Sequence, residues 1–96
     1  MAEPLVTRLR FRLFIASGQV GSARAEPDLR RSLDLCLPGG YDLEVVGIQS
    51  RPDLAAADQV LVAPTVLRLS HPVRRAIGSL DDPAALAAAL GLPSQE

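Results

Sequence analysis

The sequence predicts a single α/β domain in which strands and helices follow one another in the order β-α-β-α-β-β-α. Three observations support this fold class. Short runs of alternating apolar and polar residues indicate strands, and runs with apolar residues three or four positions apart indicate helices. Proline or glycine stands at most of the boundaries between these runs. The chain has 96 residues, enough to bury one hydrophobic core but not two.

The first strand is predicted over Arg8–Ala16, where apolar residues alternate with three arginines. Phe14 interrupts the polar side, so we expect the far end of this strand to be covered on both faces. The arginine stripe could bind phosphate, but a solvated strand face has the same pattern, and we favour the solvated face. The loop Ser17–Ser22 lacks the residues of a P-loop or a dinucleotide-binding turn.

The first helix is predicted over Ser22–Leu37, where apolar residues recur at helical spacing. Pro27 leaves two starts open. Either Ser22 caps the helix and Pro27 kinks it, or Glu26 caps the helix and Pro27 is its first residue. Cys36 lies on the apolar stripe, so we interpret it as a small core residue rather than a reactive thiol. The sequence Pro38–Gly40 ends the helix.

The middle of the chain predicts a strand, a short helix and a third strand. Tyr41–Ile48 alternates like a strand, and the β-α-β order requires it to run parallel to the first one. A short helix is expected over Pro52–Gln59, because a proline is favourable in the first helical turn. The apolar run Val60–Ala63 ends at Pro64, which cannot donate to a central sheet ladder and therefore marks the start of a strand that reaches Leu69. The bond before this proline is a candidate cis peptide.

The end of the chain predicts a β-hairpin followed by a helix. A tight connection, Ser70–Pro72, joins the third strand to an antiparallel strand over Val73–Ile77. Asp82 is expected to cap the last helix, with Pro83 as its first residue. Gly91 is expected to close it.

Composition excludes several classes of function. A formal net charge of −1 gives no general attraction to nucleic acid or to anionic lipid, and no apolar run approaches the roughly 20 residues that a membrane-spanning helix needs. The single cysteine fits a reducing compartment, so we expect a cytoplasmic protein. The one histidine, His71, is interpreted as a loop residue, and we expect neither a metal nor another cofactor. Residues 1–7 and 93–96 are expected to be loose.

The predicted order of elements is that of the thioredoxin fold. A thioredoxin-like oxidoreductase needs a cysteine of low pKa where the first strand meets the first helix. That corner, Ala16–Ser22, contains no thiol, so we expect no redox chemistry and no enzymatic activity. The N-terminal domain of glutathione transferases shares the order and would need an activating hydroxyl, for which Ser17 is a candidate. This module stays as an alternative.

Several short motifs resemble those of the KaiB family. They are the strand LFIASG, Ser22-x-Arg24-Ala25 with Leu29, Tyr41-x-Leu43-x-Val45, Pro52-x-Leu54-Ala55, Asp58, Leu61, Ala63-Pro64-Thr65 and Pro72-Val73-Arg74-Arg75-x-Ile77-Gly78. The resemblance extends over about four-fifths of the chain, and its most specific parts are Ala-Pro-Thr and Pro-Val-Arg-Arg-x-Ile-Gly.

The resemblance implies a non-enzymatic regulatory protein that binds a KaiC-like ATPase ring of RecA type and modulates its phosphorylation state. It also implies fold switching between a thioredoxin-like monomer and a form whose C-terminal half is β-α-α-β. The free protein would then be a homo-oligomer, a dimer or a tetramer. A stand-alone sensor module of a histidine-kinase pathway is the other alternative that the family allows.

Two groups of residues are candidates for this function. The candidate partner-binding residues are Arg24, Asp58, Arg74 and Arg75. Adjacent arginines on a strand point to opposite faces, so at least one of the last two should be free to pair with a carboxylate of a partner. The candidate structural or switch residues are Pro64, Pro72 and Gly78. Cis/trans isomerisation of the bonds before the two prolines is slow and would make the exchange between the two folds slow.

Overall fold

The helices and strands of the computed structural model follow one another in the predicted order. They are β1 (Arg10–Ile15), α1 (Val20–Cys36), β2 (Asp42–Gly47), α2 (Pro52–Ala57), β3 (Thr65–Arg68), β4 (Arg74–Ile77) and α3 (Pro83–Leu90). The structure describes residues 8–18, 20–78 and 80–93, without the side chains of residues 20–22. The ends that we expect to be loose lie outside these ranges, except for Pro93.

Helix α1 begins earlier than either predicted start. Its first residue is Val20, and Pro27 lies inside it, so Glu26 is not a cap. A proline within a helix removes one backbone hydrogen bond and costs about 3 kcal/mol. The helix continues because Leu29 and Leu33 are fully buried, and burial of each leucine contributes about 1.5–3 kcal/mol.

The four strands form one sheet in the order β2-β1-β3-β4. Strand β1 runs parallel to β2, and β3 is antiparallel to both of its neighbours, β1 and β4. The parallel β-α-β unit and the C-terminal hairpin are thus confirmed. The peptide bonds before Pro64 and Pro72 are both cis.

The helices cover the two faces of the sheet unequally. Helices α1 and α3 share the larger core with one face, which includes Phe11, Leu13 and Val66. Helix α2 covers the other face with a smaller cluster that contains Phe14 and Leu67. Phe14 is fully buried, so the expected coverage of the far end of β1 on both faces is confirmed.

Two arginines of the stripe, Arg8 just before β1 and Arg12 within it, form ion pairs that the sequence did not predict. Arg8 donates to Asp42 at 3.1 Å. Arg12 donates to Glu44 at 2.9 Å and to Asp58 at 3.0 Å. These partners neutralise two of the three cations of the stripe.

Both predicted ends of α3 are confirmed. The carboxylate of Asp82 accepts hydrogen bonds from the backbone N–H groups of Ala84 and Ala85, at 3.1 and 3.2 Å. Pro83 is the first helical residue. Gly91 follows the helix with a φ of 68°, the left-handed conformation that glycine adopts without strain.

A buried arginine ties the last helix to the sheet. Arg68 of β3 is 8% exposed, and its Nη1 atom donates to the carbonyl oxygens of Leu90 and Gly91, both at 2.9 Å. Its Nη2 atom donates to the carbonyl of His71, in the loop before β4, at 3.1 Å. We call these three bonds the Arg68 clasp. The negative end of the α3 dipole favours a cation at this position.

Candidate partner-binding site

The corner between β1 and α1 provides no thiol, and the single cysteine lies elsewhere, in the core. Cys36 is buried, and its sulfur lies 3.7 Å from the carbonyl oxygen of Pro83. Burial raises the pKa of the Cys36 thiol, because a thiolate would be poorly solvated there. The interpretation of Cys36 as a core residue is therefore confirmed.

The described residues also provide neither a candidate metal site nor a candidate membrane span. Within residues 8–18, 20–78 and 80–93 there is no cluster of three or more His, Cys, Asp or Glu side chains suited to a metal ion. Over the same residues, no helix combines the length and the apolar character that crossing a bilayer requires.

Three of the candidate residues meet in one surface cleft. Arg24, Pro64 and Gly78 line a cleft of about 400 Å³, together with Asp28 and Asp81. The backbone N–H of Gly78 donates to the carbonyl of Pro64 at 3.2 Å, and Gly78 has a φ of 95°. Arg24 is exposed, and no carboxylate of the described residues pairs with it. Arg24 therefore contributes to the cleft a cation that no described carboxylate neutralises.

Two other candidates are engaged within the chain. Arg75 donates to the carbonyl oxygens of Asp58 and Gln59, at 2.7 and 3.1 Å, and so ties β4 to the end of α2. The carboxylate of Asp58 accepts from Arg12. Asp58 can thus contact a partner only by sharing or releasing this ion pair.

Arg74 lies on the opposite face of β4, beside the end of α3. It stands opposite Arg68 in the β3–β4 register, and its Nε atom lies 3.3 Å from where a Cβ atom of residue 91 would be. Arg74 is exposed and, within the described part of the chain, makes no ion pair. Pro72 precedes β4, at the end of the strand remote from Gly78. The seven candidates therefore occupy separate parts of the surface rather than one site.

The structure adds an exposed apolar surface that the sequence analysis missed. Leu61, Val62 and Ile77 are 92%, 49% and 57% exposed. Ile77 is paired with Thr65 in the sheet, and the Thr65 hydroxyl donates to the carbonyl of Val62 at 2.7 Å. We call Leu61, Val62 and Ile77 the α2–β3 patch. The signal for this surface in the sequence was the apolar run that follows α2. Of the three large side chains in that run, only the side chain of Val60 is buried.

The comparisons with known proteins agree on one family. The KaiB domain model matches residues 12–92. The circadian clock oscillator protein KaiB of Prochlorococcus marinus (strain MIT 9313) is 40% identical over 72 residues, which are 74% of this chain and 60% of that protein. The protein of the same name from Synechococcus elongatus (strain ATCC 33912) is 38% identical over 72 residues, which are 71% of its length.

Solved structures show the same fold at lower sequence identity. The N-terminal domain of Synechococcus elongatus SasA superimposes with a TM-score of 0.72 at 17% identity, covering 92% of this chain and 84% of that domain. A Malassezia sympodialis thioredoxin superimposes with a TM-score of 0.65 at 17% identity, covering 85% of this chain and 71% of that one. The fold is therefore thioredoxin-like. Because the KaiB domain model matches most of the chain and relatives near 40% identity carry that name, this chain belongs to the KaiB family.

Proposed function

We propose that this chain is a non-enzymatic regulatory protein that docks on a KaiC-like ATPase of RecA type and modulates its phosphorylation state. Its membership in a family whose curated relatives are named clock oscillator proteins supports this proposal. The observation that carries it is the α2–β3 patch. Large aliphatic side chains grouped on a surface are typical of a protein-binding site.

The chemistry around the patch favours a protein partner with an apolar centre and a carboxylate placed opposite Arg24. Full burial of one aliphatic side chain contributes about 1.5–3 kcal/mol, and Leu61 is almost fully available for such burial. Gly78, which follows Ile77 of the patch, lines the same cleft as Arg24, which pairs with no carboxylate of the described ranges. A carboxylate of the partner could pair with Arg24 at the rim, where it would add specificity.

Regulation by fold switching is part of this proposal. The four elements after β2 are short: six residues in α2, four in β3, four in β4 and eight in α3. Two packings of such a half that differ by a few kcal/mol would be enough for bistability. Pro64, Pro72 and Gly78 lie at the ends of β3 and β4, where a rearrangement would change the backbone most.

Substitution of Leu61 tests the docking surface. We expect Leu61→Asp to weaken binding to a KaiC-like ATPase by about tenfold or more, because it places a charge in the apolar contact. Val73→Asp is a matched control, since Val73 is an exposed aliphatic residue that precedes β4 at the end remote from the patch. Biolayer interferometry with the purified ATPase measures both. Equal affinities of the two variants would contradict the assignment of the patch.

A pull-down from the native cell extract tests the proposed partner itself. We expect a RecA-type ATPase to be retained by the unmodified chain and lost with Leu61→Asp. A glutathione titration monitored by NMR tests the alternative module, and binding of the tripeptide in the corner beside Ser17 would contradict the proposal.

NMR spectra with and without the ATPase test the switch. We expect a second set of amide peaks for residues after Arg51, with the peaks of β1 and α1 changed less. A single set of peaks for the C-terminal half under all conditions, including the bound state, would contradict fold switching.

A further inference from the structure

The turn that follows α2 contains a residue in a conformation that favours glycine. Gln59 has a φ of 57°, in the left-handed region. Its backbone N–H donates to the carbonyl of Ala56 at 3.1 Å, and the N–H of Val60 donates to the carbonyl of Ala55 at 2.8 Å. These two bonds form a Schellman motif, in which glycine usually takes the left-handed position because a Cβ atom is strained there. Contacts from the rest of the chain must therefore compensate for the side chain of Gln59.

The conformation of this turn determines where the α2–β3 patch points. Val60 is 8% exposed and packs in the smaller core cluster with Ala55, whereas Leu61, the next residue, is 92% exposed. At the other end of the segment, the buried Thr65 donates its hydroxyl to the carbonyl of Val62. A change of backbone direction in the turn would move Leu61 relative to the rest of the patch.

Two arginines hold the turn from the sheet. Arg75 of β4 donates from Nη2 to the carbonyl of Asp58 at 2.7 Å and from Nη1 to the carbonyl of Gln59 at 3.1 Å. Arg12 of β1 donates to the carboxylate of Asp58 at 3.0 Å. The planar fork of a guanidinium can bond to two neighbouring carbonyl oxygens at once, whereas the ammonium of lysine acts as a point charge. Arg75 is therefore a contact from outside α2 that stabilises the strained turn directly.

Arg75 also connects the two parts of the patch. Alternate residues of a strand point to the same side, so Arg75 and Ile77 lie on one face of β4. Ile77 belongs to the patch, and Arg75 bonds to the turn that precedes Leu61. The same side chain thus sets the position of the turn segment relative to the strand of the patch.

We propose that Arg75 is a positioning residue, which holds the turn at Gln59 so that Leu61 and Val62 are presented to the ATPase in a fixed geometry. This inference rests on the proposed function and refines it, because it assigns Arg75 an action through Leu61 instead of a contact with a carboxylate of the partner. A surface that is already ordered loses less conformational entropy when a partner binds. Loss of the Arg75 bonds should therefore weaken binding even though every atom of the patch is still present.

Amide hydrogen exchange of the free protein, followed by NMR, tests whether Arg75 holds the turn. In Arg75→Met the amide of Val60 should exchange at least about fivefold faster, because local opening of the turn breaks its bond to Ala55. Arg74→Met is the matched control: Arg74 lies on the other face of β4, beside the end of α3, so the exchange of Val60 should be unchanged. Addition of Gln59→Gly to Arg75→Met should restore slow exchange, since glycine adopts a positive φ without strain.

Affinities for a purified KaiC-like ATPase, measured by biolayer interferometry, test the link to the patch. Arg75→Lys and Arg75→Met should both raise the dissociation constant about three- to tenfold, because neither side chain bridges the two carbonyl oxygens. Addition of Gln59→Gly should recover most of the affinity that Arg75→Met loses, although it restores no charge. In a Leu61→Ala background Arg75→Met should cost little more, since the two changes act on the same contact. Circular dichroism verifies that each variant is folded.

Four results would overturn the proposal. Two of them are an exchange rate of Val60 that Arg75→Met does not change, and an affinity that Gln59→Gly does not recover. The other two are an affinity that Arg75→Lys retains while Arg75→Met loses it, and losses from Arg75→Met and Leu61→Ala that add independently; both would indicate that Arg75 contacts the partner itself. An unmodified chain that binds no KaiC-like ATPase would contradict the proposed function, whereas the exchange of Val60 in the free protein still decides whether Arg75 holds the turn.

Discussion

Removal of the Asp82 side chain should lower the free energy of unfolding of the domain, because this side chain caps α3. In Asp82→Ala the backbone N–H groups of Ala84 and Ala85 lose their acceptor, and loss of a cap costs about 1 kcal/mol. The variant also loses the anion at the positive end of the helix dipole, which contributes about 0.3–1 kcal/mol. The expected total is about 1–2 kcal/mol. In a domain of this size each kcal/mol corresponds to a change in melting temperature of about 4–8 °C.

Urea unfolding in dilute solution, followed by circular dichroism, measures this loss. Asp82→Ser is the matched control, because serine caps a helix as well as aspartate does but carries no charge. It should lose only the dipole contribution and keep the cap. An unchanged unfolding midpoint in Asp82→Ala, or equal losses in both variants, would refute the assignment of the two N–H bonds as the cap.

Three further predictions concern a glycine, the thiol and an ion pair. Gly91→Ala should cost about 1–2 kcal/mol in urea unfolding because alanine is strained at this positive φ, whereas Gly39→Ala, which meets no neighbouring atom, should cost much less. Burial raises the folded-state pKa of Cys36 above its unfolded value, so its stabilising contribution is present below about pH 8.5 and is lost as the pH rises through the folded pKa. Unfolding free energies measured between about pH 8 and pH 10 should therefore fall less steeply in Cys36→Ala than in the unmodified chain. Arg12→Met should cost about 1 kcal/mol, and the loss should shrink in high salt; a loss that is independent of salt in urea titrations would contradict an electrostatic origin.

The sequence predicted the order and type of every element, because local signals mark them. Pro52 and Pro83 begin helices, Gly91 ends one, and Pro64 precedes a strand, each through a backbone constraint that acts within a few residues. The start of α1 was predicted wrongly. One of the two predicted starts took Pro27 as the first helical residue, and tertiary burial of the apolar stripe outweighed that signal; the other start placed Pro27 inside the helix, as observed, but began the helix too late.

The candidate site was less accessible to sequence analysis, since it depends on which side chains find partners. Nothing local distinguishes Arg74, which is unpaired among the described residues, from Arg75, which is bound by two carbonyl oxygens of another element. Similarly, the apolar run before Pro64 gave no indication that Leu61 would be exposed, because a buried strand has the same composition. Partner-binding roles for Arg24, Asp58, Arg74 and Arg75 stay predictions that the binding experiments test.

The Arg68 clasp has a consequence for how the domain opens. One guanidinium bonds to both the end of α3 and the loop before β4, so displacement of α3 breaks two of its three hydrogen bonds and weakens the anchoring of that loop. The hairpin and the last helix should therefore exchange their amide hydrogens as one cooperative unit, with a single opening free energy. A substitution that frays α3 would accelerate exchange in β4 as well, although the two elements are separated in sequence.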